Sequence, residues 1–463
     1  MSRSIRHLFI ATTVLLAIHT SLSLTAQQWL QVGPESFSAQ EIYDNSIVIS
    51  NSGTPYIAYR DISTDNKGMV MKYDGSSWVV VGNSSFSNDD AGQVALALDT
   101  AGRPYVAYTD GLSRQPVTVK RYTDTGWAIV GKPKFTPSPS GYVALTIDKY
   151  NTPYIAFENY NNGGRISVMK YVDTGWTTVG DSNFSASFTI QANIATDTSG
   201  TLYVAYNDAN GDSTKPTVQQ LVGNKWTLVG KARFSGSGYA DMVNMALDKK
   251  GIPYVSFVDG GSDTEISVMK FNDTGWVYVG GRGCSGSSGY YPHLAFDTGG
   301  TPYIGYEQYI SPYASPAKVL AYDGSKWQPV GNAASLTTHA AQTALAINRQ
   351  NIPYLLYADY SDYTDKASVV KLQAPAAVAD VQQSPTTITI SPNPSPGMFT
   401  VTTSSPGRGN VRIIISNVLG RQLKCITAPG TALIPVSLDA PAGVYIVSLI
   451  SGDDVQTAKL LIR

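Results

Sequence analysis

The sequence predicts an all-β protein whose body is a seven-bladed propeller closed by its own N-terminal strand. Three observations carry this. All seven tryptophans fall on one ladder, Trp29, Trp78, Trp127, Trp176, Trp226, Trp276 and Trp327, in steps of 49, 49, 49, 50, 50 and 51 residues. A second ladder, Tyr56, Tyr105, Tyr154, Tyr203, Tyr254, Tyr303 and Tyr354, lies between them, and six of these tyrosines follow a proline while Tyr203 follows Leu202. The array opens on a lone tryptophan segment and ends on a repeat that lacks one. Self-similarity at a period near 50 residues signals a repeat architecture, and four short strands per period signal a propeller blade.

The segment before the array reads as a secretory signal. Arg3 and Arg6 give a basic start, residues 8–18 are apolar but too few to span a bilayer, and Ala26 offers a small residue for cleavage before Gln27. The mature chain is therefore expected to begin at Gln27, and no later segment is apolar for long enough to cross a membrane as a helix.

The propeller is expected over residues 27–373. In the second repeat, residues 94–98 form a strand, Asp99-Thr100-Ala101-Gly102 a tight turn, 105–108 a second strand and 117–122 a third. Asp124-Thr125-Gly126 makes another turn, and the tryptophan strand at 127–130 is the fourth. Alternation of period two with Gly and Pro punctuation excludes a helical repeat. Proline at the first position of a strand is tolerated because its missing N–H need not enter the ladder. The last repeat has strands near Thr343, Tyr354 and Ser368 but no tryptophan strand, so the Trp29 segment is expected to complete it. That pairing leaves no open edge to invite aggregation. The body resembles propeller families with one tryptophan per blade, and matches no single enzymatic or lectin family.

Seven copies in one chain permit an internal comparison. A residue every blade needs is architectural; one that varies at a fixed place is a candidate for function. Asp99, Asp148, Asp197, Asp248 and Asp297, with Asn348 and Ser50 as variants, occupy one turn and are expected to bond its backbone. No D-x-D-x-D-G loop accompanies them, so no calcium site is expected. A second ring, Asp61, Asp110, Asn159, Asp208, Asp259, Gln308 and Asp359, is expected to anchor the loop to the third strand. The tryptophans are expected to pack between blades.

Loops after the second strands, such as 111–116, 159–164 and 308–316, are long and variable, and variable loops on a rigid scaffold are where binding usually resides. On that side, just before each first strand, stand Asp44, Gln93, Tyr142, Gln191, Met242, Tyr291 and Gln342. Amides, phenols and a carboxylate around a concave mouth suit a polar ligand. Tyr239 and Tyr290 lie close by, and the loop holding Tyr309 and Tyr313 adds further aromatic area. The candidate ligand residues are Asp44, Gln93, Tyr142, Gln191, Tyr239, Tyr291 and Gln342.

Residues 374–387, rich in Ala, Pro, Gln and Thr, read as a linker, and 388–463 as a separate small β domain. It opens Ile390-Ser391-Pro392-Asn393-Pro394-Ser395-Pro396-Gly397, continues through Asn417-Val418-Leu419-Gly420-Arg421 and Gly443-Val444-Tyr445, and ends Lys459-Leu460-Leu461-Ile462-Arg463. These residues resemble the type A C-terminal sorting domain of the type IX secretion pathway. The resemblance implies an immunoglobulin-like β-sandwich read by the type IX machinery for passage across the outer membrane. It also implies that the domain is then removed, with the body released or attached to the surface. Pro392, Asn393, Pro394, Gly397, Gly420, Gly443, Tyr445, Lys459 and Arg463 carry the motif.

Composition limits the chemistry. The net charge is −1 and charged residues make up 14% of the chain, so nothing advertises nucleic acid or anionic lipid. Cys284 and Cys425 fall in different expected domains, which argues against a disulfide between them. His7 and His19 leave with the signal, and His293 and His339 alone cannot build a three-histidine zinc site. No cofactor or metal is expected. His293 falls within a first strand, where a packed core residue is expected, and His339 in a rim loop is the one candidate triad base. Glycoside hydrolysis needs only two carboxylates, and Glu158 and Glu307 are candidates on the variable rim, though in blades nearly opposite one another. Turns such as Asp74-Gly75-Ser76-Ser77-Trp78 resemble sialidase Asp boxes, which are structural. The reading favoured is a secreted or surface propeller that binds a glycan or protein; an extracellular glycoside hydrolase or related carbohydrate-active enzyme is the alternative.

Overall fold

The computed structural model describes residues 28–463 apart from 83, 113–114, 138, 212, 312–313, 332–335, 338, 362–363, 374–387, 403–409, 418–421, 430–432 and 452–453. The expected signal at 1–26, its cleavage residues Ala26 and Gln27, the linker at 374–387, Tyr313 and Gly420 lie outside the described residues. The chain divides into two compact units, Met1–Ala374 and Pro375–Arg463.

The first unit is all-β and built from seven four-stranded antiparallel sheets. The first sheet takes its strands in sequence order, Ile42–Ile49, Pro55–Asp61, Lys67–Tyr73 and Trp78–Val80, and the next five repeat that order. In the seventh, Ala340–Ile347, Pro353–Asp359 and Lys366–Leu372 are joined by Trp29–Gln31, whose Trp29 stands opposite Leu372. The second strand of each sheet lies between two partners and is buried over most of its length. In Pro153–Asn159 six of seven residues are buried. Burial on both faces selects such a run over strict alternation.

The tryptophans join one sheet to the next. Each indole Nε1–H donates to the carbonyl of a valine in the neighbouring sheet: Trp78 to Val32 at 2.6 Å, Trp127 to Val81 at 3.0 Å, and Trp29 to Val330 at 3.0 Å. Trp176, Trp226, Trp276 and Trp327 do the same to Val130, Val179, Val229 and Val279. Phe37, Phe135, Phe184 and Phe234 stack on the indoles of Trp78, Trp176, Trp226 and Trp276 within 16° of parallel. The glycine after each valine is needed here: Gly280 has φ +75°, and a Cβ on it would stand 2.7 Å from Trp327.

The turn carboxylates act as the sequence suggests. Asp99 Oδ1 accepts from the N–H of Ala101 and Arg103, Asp148 from Tyr150 and Thr152, and Asp248 from Lys250 and Ile252. Asn348 bonds the same two positions, Gln350 and Ile352. The ring at the other end of the second strand holds its loop and third strand. Asp110 accepts from Thr118, and Asp259 from Ser267 and Gly261.

The second unit has a three-stranded sheet, Thr389–Ser391, Met398–Thr402 and Leu433–Ser437, and a four-stranded sheet ordered Gln422–Pro429, Asn410–Asn417, Gly443–Ser451, Asp454–Ile462. One core joins them: Phe399, Val401 and Ile434 from the first meet Ile413, Ile415 and Val447 from the second. The motif residues at the two ends of this unit meet. The Asn393 side chain donates to the Lys459 carbonyl at 2.6 Å and accepts from Leu461 N–H at 2.8 Å, while Arg463 N–H donates to the Ser395 carbonyl. Pro392 and Pro394 follow cis peptide bonds. Gly397 has φ +109°, and the Tyr445 hydroxyl donates to the Pro441 carbonyl. Both cysteines, Cys284 and Cys425, are free thiols.

Candidate functional site

In all seven sheets the pairing of first and second strands slips at one place, as between Tyr43 and Ser46 or Gly92 and Ala95. Such a β-bulge leaves a residue unpaired and re-aims its side chain. The unpaired residue is left-handed in every sheet: Asp44 (φ 52°), Gln93 (50°), Tyr142 (34°), Gln191 (57°), Met242 (51°), Tyr291 (51°) and Gln342 (51°). These lie within the first strands, not before them as the sequence suggested. The bulge turns all seven toward one central cavity of about 720 Å³. The candidate residues Asp44, Gln93, Tyr142, Gln191, Tyr291 and Gln342 are thus brought together, and Met242 joins them. Tyr239 is not among the cavity's residues; 43% exposed, it lies over Gly260, where a Cβ would stand 2.3 Å from its ring.

Some of these side chains also stitch the sheets. The inner edge of each first strand has no strand partner, so its N–H groups need other acceptors. Gln342 Oε1 accepts from Asp44 N–H and Gln191 Oε1 from Val243 N–H, both at 3.1 Å. Asn193 Oδ1 accepts from Met245, and Asn244 Oδ1 from Leu294. Tyr291, 40% exposed, is the aromatic surface of the mouth.

Two carboxylates line the cavity, Asp44 from the first sheet and Asp241 from the fifth. Asp44 pairs with Arg60 at 3.0 Å, and Arg60 also donates to Asn66 and lies 4.7 Å above the Tyr43 ring. Burial raises the Tyr291 hydroxyl above its ordinary value, and the carboxylates of Glu307 and Asp241 push the same way. Burial also pushes Glu307 up to about 7, against a hydrogen bond from Ser315. His293 lines the cavity and is not the packed core residue expected. It is half-buried in the wall, and desolvation there brings its imidazole down to about 4, so it is neutral at physiological pH.

The catalytic candidates do not assemble. Glu158 and Glu307 sit within the second strands Pro153–Asn159 and Pro302–Gln308, not after them. Glu158 is completely buried. His339 bridges to Ser315, and its carbonyl accepts from Tyr360 N–H. Among the described residues, no group of three or more His, Cys, Asp or Glu is placed to hold a metal.

Sequence reasoning missed the left-handed bulge, Arg60 and the cavity position of His293. A signal for Arg60 was present: its column across the repeats reads Arg60, Thr109, Glu158, Asn207, Val258, Glu307 and Ala358, the most varied of any strand place discussed here.

The chain is thus an all-β protein with propeller-like sheets and a separate C-terminal unit. Residues 389–463 match the family described as the secretion system C-terminal sorting domain. The C-terminal unit is that sorting domain, and it assigns the protein to type IX export, to the cell surface or beyond. No helix among the described residues is long and apolar enough to cross a membrane. A search of the curated proteins finds no match to the chain. Among solved structures, a protein of unknown function from Dyadobacter fermentans is 11% identical, with TM-score 0.45, over 75% of this chain and 98% of that one. An ulvan lyase, from a family of polysaccharide lyases, is 12% identical, with TM-score 0.48, over 72% and 94%. A lectin from Aleuria aurantia is 14% identical, with TM-score 0.40, over 62% and 97%. None of the three bears on what this chain binds.

Proposed function

We propose that the seven sheets form one closed seven-bladed propeller, exported through its sorting domain, that binds a glycan or protein ligand at the rim bearing the variable loops. The bulge ring carries this reading: seven left-handed residues share one backbone geometry and one cavity, yet their side chains are an acid, three amides, two phenols and a thioether. Holding non-glycine residues in that region costs about 1–2 kcal/mol each. A scaffold that needed only the bend would be served by glycine. Recognition is passive, with aromatic and amide groups suited to hydroxyl-rich surfaces. Residues 1–26 act as the signal and 374–387 as the linker.

A glycan array probed with the mature chain tests it. Saturable binding, weakened by Tyr142→Ala or Tyr291→Ala, supports the reading; binding indifferent to both variants removes it. Deleting residues 388–463 leaves the protein in the periplasm, and normal release without them would contradict the export route. The glycosidase reading keeps one favourable observation, a Glu307 carboxyl poised near neutrality as a general acid requires. Glu158, its candidate partner, is buried, so the pair is incomplete. Turnover of a glycoside panel, abolished by Glu307→Gln, would reinstate it.

A further inference from the structure

Beside the central cavity lies a second one of about 480 Å³ that only the first three sheets build. Its size is within the roughly 300–1,000 Å³ of small-molecule clefts. The residue just before each left-handed position explains its place. Across the sheets these are Tyr43, Gly92, Gly141, Ile190, Asp241, Tyr290 and Ala341. Only the second and third sheets have glycine. Neither glycine has a left-handed φ, so space and not backbone freedom is what they supply. A Cβ at 141 would stand 2.6 Å from the Tyr160 ring, and one at 92 would stand 2.7 Å from Thr109 Oγ1. Two missing side chains hollow the floor and let Tyr160 lie over it.

The walls have complementary chemistry. Tyr142, Tyr160 and the half-exposed Leu112 give an apolar surface, and Gln93 an amide. Arg60 and Asp44 stand on one side as a donor next to an acceptor, 3.0 Å apart and each partly exposed. Their charges cancel, and no other charged side chain lines the pocket among the described residues. A carboxylate or sulfate ligand would gain from Arg60 and lose to Asp44. A pair of neighbouring hydroxyls, each both donor and acceptor, satisfies the two together.

We propose that this off-axis pocket is a binding site for a neutral sugar ring, whose C–H face lies on Tyr142 and Tyr160 while adjacent hydroxyls engage Arg60 and Asp44. The inference rests on the reading of this rim as ligand-binding and adds both a place, apart from the central axis, and a ligand class.

The test uses the mature chain on an array of neutral hexose oligosaccharides beside uronate-bearing and sulfated ones, with affinities of any hits measured by calorimetry. Neutral glycans are expected to bind. Tyr160→Ala is expected to weaken them about tenfold, the equivalent of about 1.4 kcal/mol. Leu112→Asp, on an exposed loop where folding is not at stake, is expected to do the same. Tyr150→Ala, on an exposed turn at the far end of the third sheet, should leave this binding unchanged. If neutral glycans bind and only Tyr291→Ala weakens them, the pocket is wrong and the rim reading survives. Preference for acidic glycans overturns the ligand class. No glycan binding at all overturns this inference, while protein-ligand recognition by the rim would then be sought by other means.

Discussion

The two ends of the same seven strands follow opposite rules. In Ala91–Leu98, Gln93 sits near one end and Asp99 just past the other, and each belongs to a ring of seven. At the Asp99 end the geometry and the side-chain role repeat together, because an oxygen acceptor, a carboxylate in five sheets, the Asn348 amide or the Ser50 hydroxyl, is what bonds the turn's N–H groups. At the Gln93 end the geometry repeats and the chemistry does not. Where backbone and side chain are both constant, the fold explains both. Where only the backbone is constant, the bend belongs to the fold and the side chains divide: Gln191 and Gln342 stitch neighbouring sheets, while Gln93, Tyr142 and Tyr291 face the cavity.

That contrast can be broken or sharpened by measurement. The largest effect should come from the shared architecture: Trp78→Ala removes a buried indole, its stack on Phe37 and its bond to Val32. It should cost about 3–5 kcal/mol, read from the denaturant midpoint. Asp99→Ala should cost about 1–2 kcal/mol, because two turn N–H groups and Arg103 lose their acceptor, and glycan binding should not change. If Asp99→Ala abolished binding, the division of labour between the two ends would fail. At the bulge the sign should reverse. Gln93→Gly should stabilise by about 0.5–1 kcal/mol by relieving its left-handed backbone, and Gln93→Val should destabilise, while both weaken binding.

The smallest effect is a pH dependence. Between pH 4.5 and about 7 the unfolded chain releases the Glu307 proton while the folded chain keeps it, so stability from this group falls as pH rises and is lowest above about 7. Glu307→Gln should therefore raise the melting temperature at pH 8 by about 2 °C and leave it unchanged at pH 4.5. An equal gain at both values would mean that packing, not ionisation, is responsible.

Much of this was legible in the sequence because repetition makes a requirement visible. The tryptophan and turn-aspartate ladders follow from bonds every sheet must make, and seven copies expose them. The sorting domain was legible through residues that hold its ends together, Asn393 above all. The bulge was not, because its signature is a register slip and the residues there share no type. The depth of Glu158 was hidden too: its column pairs alike in the first and third sheets, yet holds the pocket-lining Arg60 in one and the buried Glu158 in the other. His293 looked like core because it lies in a strand, but the inner strands face a cavity.

The Trp29–Gln31 strand has a consequence for how the chain matures. It is the first piece of the described chain to be synthesised, yet its partner, Lys366–Leu372, comes more than 300 residues later. Until that partner arrives, Trp29 has neither its neighbour strand nor the Val330 carbonyl its indole bonds. This segment thus finds its place only when residues 366–372 are present. A purification tag fused to this leading end would sit beside the strand that completes the seventh sheet.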